Sequence, residues 1–260
     1  MKQNFTPTQL RKLIRSGEWS KPTTGVAPGF VQANLVMLPQ EEAFHFLLFC
    51  VRNPKPCPIL DVLEPGKVEP NIAQGADLRT DLPKYRIFEQ GKLKDEVEDV
   101  HNVFHGKMVS FLLGCSFSFE AALVAADVPV RNLEEGKNVS MYITNRDCQP
   151  AGPFSGPLVV TMRPMKPAEA VRAIQVTTRF HLTHGAPVHI GSPEEIGIKD
   201  LDRPDFGDAV TIRAGEIPVF WACGVTSSLA VMSPPLPLVV THAPGHMFVS
   251  DLRDEHLTLL

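Results

Sequence analysis

No stretch of about 18 consecutive apolar residues occurs in the sequence, so no segment reads as a membrane-spanning helix. The opening ten residues lack the apolar core of a signal peptide. Charge of one sign is also missing: 25 basic against 29 acidic residues give a formal charge of −4. That mild acidic balance argues against nucleic acid as the main partner. Cysteine pairing motifs are absent. The five cysteines (50, 57, 115, 148 and 223) are odd in number, dispersed, and never in a Cys-x-x-Cys pair, which predicts a reduced, cytoplasmic protein. Neither G-x-x-x-x-G-K-[ST] nor G-x-G-x-x-G occurs, which disfavours ATP or NAD dependence, and no cofactor is expected. No internal repeat is visible. Proline, by contrast, is abundant: 24 residues imply many fixed turns and few long helices.

Hydrophobic patterning places helices and strands in alternation. Thr6-Pro-Thr-Gln9 predicts a capped helix ending at Gly17, with Leu10, Leu13 and Ile14 on one face. A strand over 31–38 and an apolar helix over 41–51 follow. The proline-rich stretch 53–83 reads as one long loop. Strands are predicted at 85–89, 108–113, 139–144, 158–163, 210–213, 217–223, 238–241 and 247–250, with a polar edge near 93–100. Helices are predicted at 119–126 and 167–180, and short pieces near 185–191, 193–196 and 226–232. The mixture makes the class α/β (mixed α+β). A sheet-based larger domain, residues 1–126 and 217–260, would carry an inserted smaller two-layer α/β domain, residues 127–216.

The most informative stretch is Phe111-Leu-Leu-Gly-Cys-Ser-Phe-Ser-Phe-Glu120, a buried strand, a glycine turn and a helix start. Ser116 or Ser118 could cap that helix, and its free N–H groups would attract a carboxylate or phosphate. The same dipole would lower the pKa of Cys115, while Glu120 complements it from the first turn. The structural alternative is a capped core helix beside an inert thiol. Three further polar loops each follow a predicted strand: Thr144-Asn-Arg146, Cys223-Gly-Val-Thr226 and Thr241-His-Ala-Pro-Gly-His246. Together the four suggest one shared pocket.

Histidines supply candidate proton carriers, namely His184, His189, His242 and His246. A metal site is not expected: Pro244-Gly245 breaks the spacing between His242 and His246, and His181, His184 and His189 have no regular ligand spacing. Arg146 and Arg163 flank a loop rich in glycine and proline and are candidate clamps for a carboxylate. The candidate catalytic set is therefore Cys115, His184, His242 and His246. The candidate binding set is Ser116, Ser118, Asn145, Arg146, Arg163 and Thr226.

Several segments, in order, resemble the D-glutamate cyclase family. They include Val31-Gln-Ala-Asn-Leu35, Phe49-Cys-Val-Arg-Asn-Pro-Lys-Pro-Cys-Pro58, Ala76-Asp-Leu-Arg-Thr-Asp-Leu-Pro83 and Leu113-Gly-Cys-Ser-Phe-Ser-Phe-Glu120. Others are Pro150-Ala-Gly152, Ser155-Gly-Pro157, His184-Gly-Ala-Pro-Val-His-Ile-Gly191, Arg203-Pro-Asp-Phe-Gly-Asp208, Phe220-Trp-Ala-Cys-Gly-Val-Thr226 and Thr241-His-Ala-Pro-Gly245. Thr226-Ser-Ser228 stands where the family pattern has Thr-Pro-Gln. The resemblance covers nearly the whole chain. It implies an α/β architecture with a second smaller domain, and conversion of D-glutamate to 5-oxo-D-proline with loss of water, a hydro-lyase reaction. The expected partner is a small acidic amino acid, with no nucleic acid or membrane, and self-association is left open. Two alternatives fit the same residues: a protein that only binds a small carboxylate, and a cysteine-dependent amide hydrolase using Cys115.

Overall fold

The computed structural model describes residues 5–258. Its strands form two sheets, and every ladder between them is antiparallel. The larger is built around β1 (Phe30–Pro39), a strand buried along almost its whole length. A strand buried on both faces reads as an apolar run rather than an alternation, and 35–38 reads that way, while Gln32 and Asn34 are buried amides. One edge of β1 pairs with β5 (Met108–Gly114), which in turn carries β2 (Ile59–Leu63). The other edge is shared by two strands. β10 (Val239–His242) pairs at Val36 and Met37, and β11 (Phe248–Arg253) pairs over 30–33. β3 (Tyr85–Glu89) and the exposed β4 (Lys92–Val97) complete the sheet beyond β10.

The split between β10 and β11 opens a gap in the ladder along β1. Residues 243–247 leave the sheet there, so Asn34 and Leu35 face no strand on that edge of β1. The Leu35 N–H is satisfied by a side chain instead, donating to His242 Nδ1 at 3.3 Å. A buried backbone donor needs a partner, and the imidazole takes the place of the missing carbonyl.

The smaller sheet has the order β6-β7-β9-β8, from β6 (Ser140–Asp147), β7 (Pro157–Met165), β9 (Ile217–Ala222) and β8 (His189–Ile190). β9 pairs with β7 over six consecutive residue pairs, so the boundary expected at 216/217 falls before the strand that belongs to this sheet. One apolar cluster ties the two sheets together. It joins Val31 of β1 to Phe119 and Leu123 of α3 (Phe117–Ala125), and to Met165, Val219 and Trp221 of the smaller sheet. A second joins Phe46 and Phe49 of α2 (Gln40–Arg52) to Phe111 and Phe154, with Phe46 meeting Phe111 edge-on at 4.9 Å.

Most predicted elements are present, including the capping box of α1 (Pro7–Arg15), α5 (Pro167–Thr178), a 3₁₀ turn at 193–196 and α6 (Val225–Met232). Three readings change. β2 lies inside the stretch that reads as one loop, because prolines 54, 56, 58 and 65 flank it and leave its ladder intact. Residues 210–213 form no strand. There the Thr211 carbonyl accepts from Arg131 and the Thr211 N–H donates to the Glu135 carboxylate, so side chains satisfy groups that a ladder would need. A short helix, α4 (Arg131–Glu135), has no counterpart among the predicted elements.

Candidate active site

A cavity of about 430 Å³ opens at the split edge of β1, within the range of small-molecule sites. Two strand-to-helix turns enter it, one from each sheet. β5 passes through Gly114, Cys115 and Ser116 into α3, and β9 passes through Cys223 and Gly224 into α6. Glycine is required at both turns. A Cβ at Gly114 would stand 2.9 Å from the Leu182 carbonyl, and one at Gly224 would collide with Asn34 Nδ2. Asn34 also donates from Nδ2 to the Gly114 carbonyl at 3.0 Å, so this one amide touches both turns. Helix starts carry free N–H donors and partial positive charge, and here two of them address one space.

Of the four loops expected to share a pocket, three meet here, and the turn after β5, the turn after β9 and the 241–246 segment all contribute lining residues. The fourth does not. Asn145 and Arg146 continue β6 as exposed residues, with Asn145 packed against Gly197. Cys115, Ser116 and His242 line the cavity. Ser118 is buried in the first turn of α3, outside the lining. Neither serine caps the helix, because Ser116 is itself helical (φ −65°, ψ −15°) and makes no side-chain cap bond. Cys115 and Cys223 each stand two residues before the first helical residue, and the backbone N–H of Phe117 and of Val225 favours the charged form of the respective sulfur.

Four other candidates are engaged elsewhere. Arg163 is fully buried beneath the cavity, ion-paired to Glu120, bonded to Thr161 Oγ1 at 3.0 Å, and placed over the rings of Phe119 and Trp221. Glu120 therefore neutralises a buried guanidinium in addition to sitting at the helix start, and Arg163 is not free to clamp a substrate. Thr226 Oγ1 accepts the Val159 N–H at 3.0 Å and docks α6 onto β7. His184 is buried away from the lining, with Nδ1 against the Lys55 carbonyl at 2.7 Å and Nε2 unpartnered. His246 lies outside the lining too, its Nδ1 2.8 Å from the Pro244 carbonyl.

Sequence reasoning missed Asn34 and Arg86, both of which line the cavity. Asn34 had a signal, an amide that with Gln32 interrupts an otherwise apolar strand. Cys223 and Gly224 lie in the loop expected to join the pocket, although Thr226 is the only residue of that loop in the candidate binding set. Arg86 had none, because its place in β3 looks like an ordinary solvent-facing position.

The electrostatics of the lining are distinctive. Arg86 Nε donates to Glu96 at 2.6 Å, and the guanidinium supplies positive charge beside His242. Desolvation lowers the His242 pKa to about 4, so the ring is neutral near pH 7. Because Nδ1 accepts from Leu35, the proton of the neutral ring sits on Nε2. Burial pushes the Cys115 thiol up to about 12 and the Cys223 thiol up to about 11. The expected depression at Cys115 is thus reversed, since loss of water outweighs the helix N–H and the nearby Arg163 charge. Among the described residues, no three His, Cys, Asp or Glu side chains group as a metal site. No helix among them is long and apolar enough to cross a membrane.

Comparison with known proteins places this geometry in a family. The D-glutamate cyclase family profile matches residues 109–251, a span that holds both cysteine turns and His242. A provisionally named hydro-lyase of Syntrophobacter fumaroxidans is 60% identical over 98% of both chains. Similarly named proteins of Thermoanaerobacter sp. and Rubrobacter xylanophilus are 58% and 59% identical, over 98% and 95% of this chain and 97% and 95% of their own. A solved nitrogen repressor-like protein of Methanococcus jannaschii overlaps 91% of the chain at TM-score 0.38 and 10% identity, too distant to bear on function. The chain belongs to the D-glutamate cyclase family and is a lyase-type enzyme.

Proposed function

We propose that the cavity binds an acidic amino acid, D-glutamate first among them, and closes it to 5-oxoproline with loss of water and without ATP. The observation that carries this reading is the convergence of two helix starts, Arg86 and neutral His242 on one small cavity. A substrate with two carboxylates needs positive charge at two places. Arg86 suits the α-carboxylate, as a guanidinium fork. The helix start at Cys115 and Ser116 suits the γ-carboxylate and the charge that grows on its oxygen as the ring closes.

The reaction balances within the substrate. The amine nitrogen forms a bond to the γ-carbon, a carbon–oxygen bond breaks, and two protons shed by the ammonium leave on the departing oxygen as water. His242 is a candidate carrier for one of them through its Nε2 edge. Both ends belong to one molecule, so holding it folded supplies much of the rate. A thiol held near 12 is a poor nucleophile at neutral pH, which favours direct attack by the amine over an acyl-cysteine route and weakens the amide-hydrolase alternative.

The test is to incubate the pure protein with D- and L-glutamate and measure product by mass spectrometry. The reading expects a product lighter by one water. Unchanged glutamate of both hands in the presence of folded protein refutes it. A plain binding role would instead give saturable thermal stabilisation with the ligand recovered intact.

A further inference from the structure

Ring closure as described uses no side-chain sulfur, yet two thiols line the cavity. Cys115 comes from the larger sheet and Cys223 from the smaller. Each follows a buried strand and stands two residues before the start of a helix, whose first N–H favours the charged form of the sulfur. Asn34 lies against both turns and holds them in one frame. The other three cysteines are core residues in one apolar cluster and show no such arrangement. Two buried thiols that serve only packing have no reason to repeat the same strand-to-helix placement in two sheets around the same space.

We propose that Cys115 and Cys223 form an acid–base pair that exchanges the proton on the α-carbon of the bound amino acid, giving the enzyme an epimerising activity at that centre. One sulfur, as thiolate, takes the Cα–H proton. The other, as thiol, delivers a proton to the opposite face of the carbanion. The Cα–H bond broken on one side is replaced by one formed on the other, and the sulfurs exchange protonation states. Nothing is oxidised or reduced, and no co-reactant is needed. This inference rests on the reading of the cavity as an amino-acid site.

The environment fits that task better than nucleophilic attack. A carbon acid needs a strong base, and desolvation makes both sulfurs strongly basic once ionised. Each helix N–H and the buried Arg163 favour the charged sulfur but are outweighed by burial, so the thiolate is a minor form and a strong base when present. The negative charge of one thiolate in turn discourages the second from ionising, so one sulfur at a time acts as the base while the other stays a thiol.

The experiment incubates the full chain in D₂O with D-glutamate, L-glutamate and both enantiomers of 5-oxoproline, and follows Cα–H loss by NMR and configuration by chiral chromatography. The proposal expects deuterium at Cα in the inverted enantiomer for at least one of these compounds. It expects Cys115→Ser and Cys223→Ser each to lower the exchange by about 100-fold or more. A second readout separates chemistry from folding: elimination from the two enantiomers of a β-chloro glutamate needs only one base. The two variants are expected to retain it on opposite enantiomers, which a general loss of folding would not produce. Water loss from glutamate with full retention of Cα–H, or exchange that survives in both variants, overturns the proposal while leaving the ring-closing reading standing. Exchange without ring closure supports the proposal and refutes that reading. Neither reaction on any of the four compounds overturns both.

Discussion

Replacing Glu120 with alanine is expected to be among the most damaging single changes to stability near the site. Arg163 is fully enclosed, Glu120 is its only carboxylate partner among the described residues, and Arg163 Nε already lacks an acceptor. Removing Glu120 leaves an uncompensated guanidinium between Phe119 and Trp221, where water cannot reach it. Breaking one side of such a pair costs about 3–5 kcal/mol. For a chain of this size that corresponds to a fall in Tm of roughly 6–20 °C. Urea unfolding followed by circular dichroism measures the loss directly. The double variant Glu120→Ala with Arg163→Met removes both charges and is expected to recover most of the stability, because an apolar side chain suits that space. If the single variant loses less than about 1 kcal/mol, the pair is solvated and the reasoning is wrong. A double variant no better than the single one refutes it equally.

Other consequences concern the cavity and the turns that shape it. Arg86→Met is expected to raise KM for an acidic amino acid about tenfold or more with little change in melting temperature, since Arg86 is partly exposed and bonded only through Nε. Gly114→Ala meets a backbone carbonyl that cannot yield and should destabilise by about 1–3 kcal/mol in denaturant unfolding. Gly224→Ala drives a Cβ into the buried Asn34 amide and disturbs its bond to the Gly114 carbonyl, so it should also destabilise by about 1–3 kcal/mol and lower turnover, which melting and kinetic assays can check. His184 titrates near 4 in the folded protein because it is buried, against an unfolded value near 6.5. The unfolded chain therefore binds the extra proton between those values, and stability falls as pH drops from about 6.5 to about 4. The loss is on the order of 3 kcal/mol, and a His184→Gln variant should show a flatter stability–pH curve over that window.

Much of this fold was legible in the chain itself, and the reasons are specific. The capping box at Thr6 and Gln9 and the apolar runs of β1, β5, β7 and β9 are local signals, read over a few residues. β2 was hidden because its ladder is supplied by β5, a partner far along the chain, while its own composition is dominated by flanking prolines. The cavity was legible in part. Cys115, Ser116 and His242 stood on turns after strands, where polar residues concentrate. The fate of Arg163 was not legible, because its partner lies 43 residues earlier on another element. The shift of Cys115 was misread for a related reason: the helix start is visible in sequence, whereas the burial that outweighs it is a property of packing from both sheets. Asn34 and Arg86 join the cavity only because β1, β3 and β10 lie side by side, which no local pattern announces.

The most direct test of the central claim uses D-glutamate labelled with heavy oxygen at both γ-carboxylate positions, given to the protein without ATP and followed by mass spectrometry. Dehydrative ring closure predicts 5-oxoproline that keeps one labelled oxygen, with the other released in water. Labelled glutamate that remains unchanged beside folded protein contradicts the account, as does a product that retains both labels.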